Sequence, residues 1–590
     1  MGILTLSPLV KCGLYAFFTI INIPILQGEE QSQCPSLTEN PICPCYNFKE
    51  GKNYYNSCFK LLIVLKKINI SSLSNEIFFN VVTLEELYLQ NNLINHIGNE
   101  TFNSLLKLKI LDLSHNEIIS LDFDMSTLPV KQIRLNYNSI SIIQSKSLKF
   151  LPNLSDLDMN NNFLTWEDVT QIQIPGLKSL VLSNNNFTFL EIKTFSHLPS
   201  LQSLSLEMSN ITFLPPPIFI KNQNLLRVNL ANNYLKDLHK DIFAYTTILQ
   251  ELNLKGNSFT DFPHLALFNV TSLENLNLCD NQLHSIDFFK FTGLQNLRTL
   301  NLCNNRISVL NGFNSPSLKN LVTLNLNNNI LTVLPPNFFQ HSLGLKEIDL
   351  SHNFFKHIPS NGLSETVLPA LTTLNMSSNS LVQLLQTYPI KQFPLLEELI
   401  ITNTNLTIIT SKDFENFPSL KKLILKSNSL IRLSPGAFSK LHNLIMLDMS
   451  ENKLENIPRE RLQGLYYTTI LNISQNTIRE LEEFTGDLQS LQKLDLSFNH
   501  ITRINKAIFQ NLHSLTELNL SGNWLSFIAT DTFKMLNKII NIDLSKNYFE
   551  VIQIKMLLSL ETQIKSIAYD GTLFGSNLLH GSTKEYYKMG

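Results

Sequence analysis

Cys279 and Cys303 stand 24 residues apart in two versions of one phrase, L-N-L-C-D-N and L-N-L-C-N-N. Two thiols at matched places in adjacent units can form a disulfide or remain a free pair, and the spacing alone leaves both open. Four more cysteines, Cys34, Cys43, Cys45 and Cys58, follow C-x8-C-x-C-x12-C. Such a cluster can be a disulfide framework or a zinc site, and the compartment decides between them. An apolar run from Cys12 to Leu26, preceded by Lys11 and followed by Gly28-Glu29-Glu30, has the form of a secretory signal over residues 1–28. The alternative is a membrane anchor, for which the run is short against the roughly 20 residues a span needs. Export favours the disulfide reading.

Other reactive arrangements are not found. The chain has no G-x-S-x-G, H-E-x-x-H, G-x-x-x-x-G-K or G-x-G-x-x-G. His115 and His352 both occur as D-L-S-H-N, which makes them variants of one repeated phrase rather than bases or ligands. Asp156 and Asp158 form a close acidic pair, but two exposed carboxylates have nothing to desolvate them, so a raised pKa is not expected. No enzymatic activity, cofactor or metal is expected.

The elements that carry these residues come from one pattern, L-x-x-L-x-L-x-x-N-x-L. It reads Leu84, Leu87, Leu89, Asn92, Ile94 at its first clear copy, and 20 copies follow one another to position 539. Eighteen carry the Asn at position 9; Ser209 and Thr404 replace it in the other two. A fixed period of this length marks a leucine-rich repeat solenoid, an α/β repeat fold curved like a horseshoe with a parallel β-sheet on its concave face. Positions 4 and 6 point inward and positions 3, 5 and 7 outward, because strand side chains alternate. The Asn satisfies backbone groups at the bend after the strand, since an amide both donates and accepts. Phenylalanines six residues before many motif starts, among them Phe102, Phe195, Phe219, Phe243, Phe414 and Phe509, are expected to stack as core. The organisation read from this is a signal at 1–28, a cysteine-containing cap at 29–83, repeats at 84–560 and a tail or cap at 561–590, with a short helix over 553–564.

The 24-residue unit, its Asn and Phe columns and the four cysteines before it resemble the extracellular leucine-rich repeat proteins of animals. That group includes Toll-type receptor ectodomains and chaoptin- and connectin-like adhesion proteins. The resemblance covers roughly residues 34–560 and implies the pairing Cys34–Cys45 and Cys43–Cys58, although the first two cysteines lie farther apart here than is usual. It implies binding of proteins or glycans by the concave face or flanks. Two departures are the missing four-cysteine C-terminal cap and the lack of a membrane span or cytoplasmic signalling domain. The expectation is a secreted glycoprotein for recognition or adhesion. The alternatives are a receptor ectodomain whose anchor is missing and a non-catalytic subunit of a secreted enzyme.

Ten N-x-S/T sequons occur, at Asn69, Asn99, Asn153, Asn186, Asn210, Asn269, Asn375, Asn405, Asn472 and Asn519. Asn375, Asn472 and Asn519 fall at position 5, where a glycan would block the concave face. The units from 201 to 351 have no sequon on a strand, so the contact surface is expected there: Glu207, Arg227, Asn229, Glu251, Lys255, Asn277, Asp280, Asn301, Asn325, Glu347, Asp349 and His352. The whole chain carries a formal charge of −2, and its concave positions hold more acids than bases. A mildly basic or mixed-charge extracellular protein, glycan-bearing or not, fits this better than nucleic acid. Oligomeric state is not legible.

Overall fold

A computed structural model of the chain describes residues 49–50, 53–54, 62–549, 565–569 and 572–575, apart from 76, 313–317, 337, 364–365 and 385–391. The expected signal, all four N-terminal cysteines, the expected helix at 553–564 and the tail beyond 575 lie outside the described residues. The chain divides into two compact units, Met1–Asn253 and Leu254–Gly590.

Each unit is a stack of short parallel strands in one register. In the first, Leu87, Leu111, Ile133, Leu157, Leu180, Leu204, Val228 and Leu252 lie side by side along the ladder. All are at most 2% exposed. In the second, Leu276, Leu300, Leu324, Ile348 and Leu374 begin an equivalent buried row. These are motif position 4, and no single repeat could bury them without its neighbours. The first ladder starts at Leu62–Val64, one strand before the first motif copy. The second runs on through Ser566–Tyr569, which pairs antiparallel with Thr572–Gly575 and so ends the parallel stacking.

The strands are three residues long because the backbone turns at a fixed place. Motif position 8 has a positive φ in all 20 copies, from Asn91 at 59° to Lys546 at 56°. Only Gly escapes a Cβ penalty there, and Asn tolerates the conformation best among the rest. The bend that follows is held by the Asn column. Asn305 donates Nδ2–H to Leu278 (2.9 Å), Leu302 (3.0 Å) and Cys303 (3.0 Å) carbonyls, while its Oδ1 accepts from Leu283 N–H (3.0 Å). Where the Asn is replaced, the next one compensates: Ser209 N–H and Thr404 N–H donate to Asn233 Oδ1 (3.0 Å) and Asn428 Oδ1 (2.8 Å).

The phenylalanines stack as expected. Phe195, Phe219 and Phe243 form a near-parallel column with centroids 6.1 and 5.9 Å apart. Each ring is at most 1% exposed, and burying it contributes roughly 1.5–3 kcal/mol. Among the described residues helix is confined to short turns such as Trp166–Thr170, His264–Leu267 and Ser360–Leu363. No helix among the described residues is long and apolar enough to cross a membrane.

Candidate functional site

The outward positions 3, 5 and 7 do not have equal freedom. The strand ends at position 5, so the N–H of position 7 meets no neighbouring strand carbonyl. An Asp or Asn at position 5 supplies the acceptor instead. Ser114 N–H donates to Asp112 Oδ1 (3.0 Å), Ala231 N–H to Asn229 (3.1 Å), Cys279 N–H to Asn277 (3.0 Å), Asn327 N–H to Asn325 (2.9 Å) and Ser351 N–H to Asp349 (2.9 Å). A Ser at position 7 adds its hydroxyl, as Ser114 Oγ does to Asp112 Oδ1 at 2.6 Å. Four residues expected to meet a partner (Asn229, Asn277, Asn325 and Asp349) therefore complete their own strands first, and all are half-buried.

This local lock bears on the sequons. In Asn375-Met-Ser377, Asn472-Ile-Ser474 and Asn519-Leu-Ser521, the Asn is half-buried and its Oδ1 accepts from the N–H of the sequon's own Ser, each at 3.0 Å. Asp takes the same place in Asp448-Met-Ser450 and Asp495-Leu-Ser497. The other seven sequon asparagines are exposed.

In the first unit the concave strands carry buried charge. Asp112 is 3% exposed and Glu86 8% exposed, although both stand at outward positions. Arg134 bridges to Asp112 Oδ2 at 3.3 Å, and Tyr88 Oη–H donates to Glu86 Oε2 at 3.3 Å. Asp158, on the next strand, has its carboxyl pKa raised, chiefly by burial, against the lowering pull of Asn160 and Arg134. This corrects the expectation that nothing desolvates the Asp156–Asp158 pair: Asp156 is exposed, but Asp158 is sunk between flanking strands. His115, read as a repeat variant, has the positive φ of position 8 and stacks on Tyr137 with centroids 4.3 Å apart.

The expected contact residues fall in both units. Glu207, Arg227, Asn229 and Glu251 belong to the first, and Glu207 accepts from Asn229 Nδ2 (3.0 Å) and Asn232 Nδ2 (2.8 Å). Lys255, Asn277, Asp280, Asn301, Asn325, Glu347, Asp349 and His352 belong to the second. Arg227, Glu251, Lys255, Glu347 and His352 are exposed. Lys255 pairs with Asp280 at 3.3 Å, and Asp280 also accepts from Asn304 Nδ2 at 2.7 Å.

Beside them Cys279 and Cys303 form a disulfide across neighbouring strands, with Cα atoms 4.5 Å apart. Parallel pairing brings the two positions within the separation a disulfide tolerates. Farther along the same unit, the outward lysines pair with acids of the adjacent repeat: Lys422–Glu398 at 2.6 Å, Lys426–Glu451 at 3.0 Å and Lys493–Glu517 at 2.9 Å.

One surface feature escapes a reading confined to strand positions. Phe498, Trp524, Phe527 and Tyr548 are exposed in the last repeats, and His500 stacks on Trp524 with centroids 4.3 Å apart. These lie at positions 8, 10 and 13, past the strand, and the column His500, Trp524, Tyr548 at position 10 was the available signal. Among the described residues no group of three or more His, Cys, Asp or Glu is placed to hold a metal ion.

Comparison with known proteins agrees with this geometry. A family model described as "Leucine rich repeat" matches residues 62–118, 82–129, 175–226, 223–283, 271–318, 319–381, 394–454 and 489–549, together about two thirds of the chain. The human leucine-rich repeat transmembrane protein FLRT2 is 29% identical over 105 residues, which is 18% of this chain and 16% of that protein. The matched segment thus spans about one sixth of that relative's length. Among solved structures, the TLR13–ssRNA13 complex superposes with a TM-score of 0.54 at 22% identity, over 86% of this chain and 85% of that one. The glycosylated Drosophila Toll–Spatzle complex does so with a TM-score of 0.50 at 19% identity, over 88% and 79%. Both likenesses concern the fold.

Proposed function

We propose, from the premise that this chain belongs to the leucine-rich repeat family, that it is a secreted, glycosylated and non-catalytic scaffold whose concave strands recognise an extracellular protein. The observation that carries this reading is the division of labour along each strand. Positions 4 and 6 are committed to packing, position 9 to hydrogen-bonding the bend and position 5 largely to closing the strand. Position 3, by contrast, carries Arg227 and Glu251 on the ladder of the first unit and Glu347 on that of the second, all exposed. Side chains held at strand spacing bind with little further ordering, which favours recognition.

The relatives support the reading at the level of kind. One is called a transmembrane leucine-rich repeat protein, one solved structure is a complex of Toll with Spatzle, and another holds single-stranded RNA. RNA fits this chain less well, because its formal charge is −2 and its outward lysines are largely paired with acids. Glycans are assigned to the seven exposed sequons, and peptide mapping by mass spectrometry after glycosidase treatment checks each site.

The test is capture from native extracellular fluid with the full chain as bait, followed by identification of what is bound. A single stoichiometric protein is expected, and its recovery should fall at least tenfold with Arg227→Glu or Glu347→Lys. Capture unchanged by both variants, or no protein captured, would overturn the concave face as the contact surface.

A further inference from the structure

We infer that the strands Asn275–Asn277, Thr299–Asn301 and Thr323–Asn325 form a binding site for a neutral oligosaccharide. The inference rests on the reading of the concave face as a recognition surface and names the chemistry that one part of it suits.

The outward positions 3, 5 and 7 of these three strands are Asn275, Asn277, Cys279, Thr299, Asn301, Cys303, Thr323, Asn325 and Asn327. None is charged. Every other set of three consecutive strands in the second unit carries at least one ionisable side chain at these positions. On one border the charges are matched, since Lys255 pairs with Asp280 at 3.3 Å and Arg298 with Glu274 at 3.6 Å; on the other, Glu347 stands exposed and accepts from Thr323 Oγ1–H at 3.4 Å. An anionic ligand would find no cation on these three strands, and a cation would find its carboxylate only on the next strand, at Glu347, whereas a neutral polyol would leave no charge buried and unpaired.

The hydrogen-bonding capacity is of the right kind. Asn277 and Asn325 spend Oδ1 on their own strands, but their Nδ2–H groups donate to nothing among the described residues. At the middle strand the pattern breaks. Cys303 N–H turns to Cys279 Sγ at 3.1 Å instead of to position 5, so the Asn301 amide makes no hydrogen bond among the described residues. An amide that offers both a donor and an acceptor matches a pair of neighbouring sugar hydroxyls, which also donate and accept. The disulfide thus frees the central amide, and its sulfur atoms add a weakly polar surface beside it.

The same strands are held in place. The Cys279–Cys303 bond joins two of them, and Asn328 Nδ2 to Asn304 Oδ1 (2.8 Å) and Asn304 Nδ2 to Asp280 Oδ1 (2.7 Å) run as a rail along their ends. A ligand bound by hydrogen bonds that compete with water gains most from groups already in position. No sequon lies on these strands, so the chain's own glycans are not attached there.

The experiment presents the full chain to an array of neutral oligosaccharides of the high-mannose and N-acetyllactosamine types, with sialylated and sulfated glycans alongside. Neutral glycans should bind, and binding should fall at least tenfold in Asn301→Asp and Thr299→Glu but not in Lys440→Glu, at an exposed lysine away from these strands. Melting curves of the variants that match the parent exclude misfolding. A silent neutral array, a preference for the acidic glycans, or binding that survives both Asn301→Asp and Thr299→Glu would overturn the inference. Capture from fluid stripped of glycans by glycosidases separates the two readings. A protein still captured from stripped fluid at full strength, together with a silent neutral array, keeps the protein-binding scaffold and sinks the glycan site. Array binding with no protein captured from either fluid keeps the glycan site and sinks the protein-binding scaffold.

Discussion

The strands from Glu86–Tyr88 to Asp156–Asp158 and those from Asn275–Asn277 to Thr323–Asn325 share one inner face and differ completely in the outer one. Inside, both have leucine or isoleucine at position 4, at most 1% exposed. Outside, the first set holds Glu86, Asp112, Arg134 and Asp158, partly sunk, with Arg134 bridged to Asp112 and Glu86 accepting from Tyr88. The second set holds amides, hydroxyls and a disulfide, with no charge. The inner face is dictated by packing between neighbours, so it repeats. The outer face is free of that packing, so its residues differ between the two sets of strands.

The largest effect that would break the contrast comes from the cross-strand bond. Replacing both cysteines, Cys279→Ala with Cys303→Ala, removes a link that the first set of strands lacks. It should cost about 3 kcal/mol by the loop-entropy relation for a closure of this size. Denaturant unfolding reads the total, and hydrogen exchange at residues 275–277 and 299–301 reads the location. A non-reduced peptide map in which both cysteines alkylate freely would remove the bond from the comparison.

Next comes the shared inner frame. Asn305→Ala in the second unit and Asn138→Ala in the first each strand several backbone groups. Asn138 donates to the Leu113 and Leu135 carbonyls at 3.0 Å and accepts from Ile118 N–H at 3.1 Å. Each substitution should cost roughly 1–3 kcal/mol, and the two costs should agree. Thermal melts that differ widely between them would mean the frames are not equivalent.

The charged outer face gives a smaller effect. Arg134→Leu leaves the Asp112 carboxylate, almost fully buried, without its cation. Because the arginine is itself 41% exposed, the loss should be about 1–2 kcal/mol rather than that of a fully buried pair. A melt unchanged by the variant would mean that Asp112 is satisfied by Ser114 alone.

The smallest effect depends on pH. Burial raises the Asp158 pKa above its ordinary 3.8, so the folded chain holds this proton to higher pH than the unfolded chain does. The favourable contribution of the protonated form is complete below the unfolded value and is lost as pH rises through the folded one. Asp158→Asn should therefore be more stable than the parent at neutral pH, with the gap closing as pH falls through the raised folded value and complete by about 3.8. A gap that stays constant from pH 3 to pH 7 would contradict the burial of this carboxyl.

Much of this was legible in the residues. The strand positions, the Asn column and the Phe column follow from one repeated phrase, because side-chain alternation and unpaired backbone groups leave few ways to satisfy it. The matched positions of Cys279 and Cys303 placed them side by side, though not their bond. What stayed hidden involves neighbours 20 or more residues away in sequence. That Asp158 would be sunk and Asp156 exposed depends on how deeply position 5 lies between adjacent strands. That Asn301 would be released from the duty of Asn277 and Asn325 depends on the Cys303 N–H finding a sulfur. The aromatic column at His500, Trp524 and Tyr548 was present in the sequence but lies past the strand, where alternation makes no prediction.

The sequence by itself determined the repeating frame, since a motif that recurs in 20 copies lets local geometry and nearest-neighbour packing decide each turn alike. Only the tertiary structure decided which outward groups are free to meet a ligand. Freedom is what remains after neighbouring strands have claimed their hydrogen bonds, ion pairs and sulfur contacts, and those claims are made across the stack rather than along the chain.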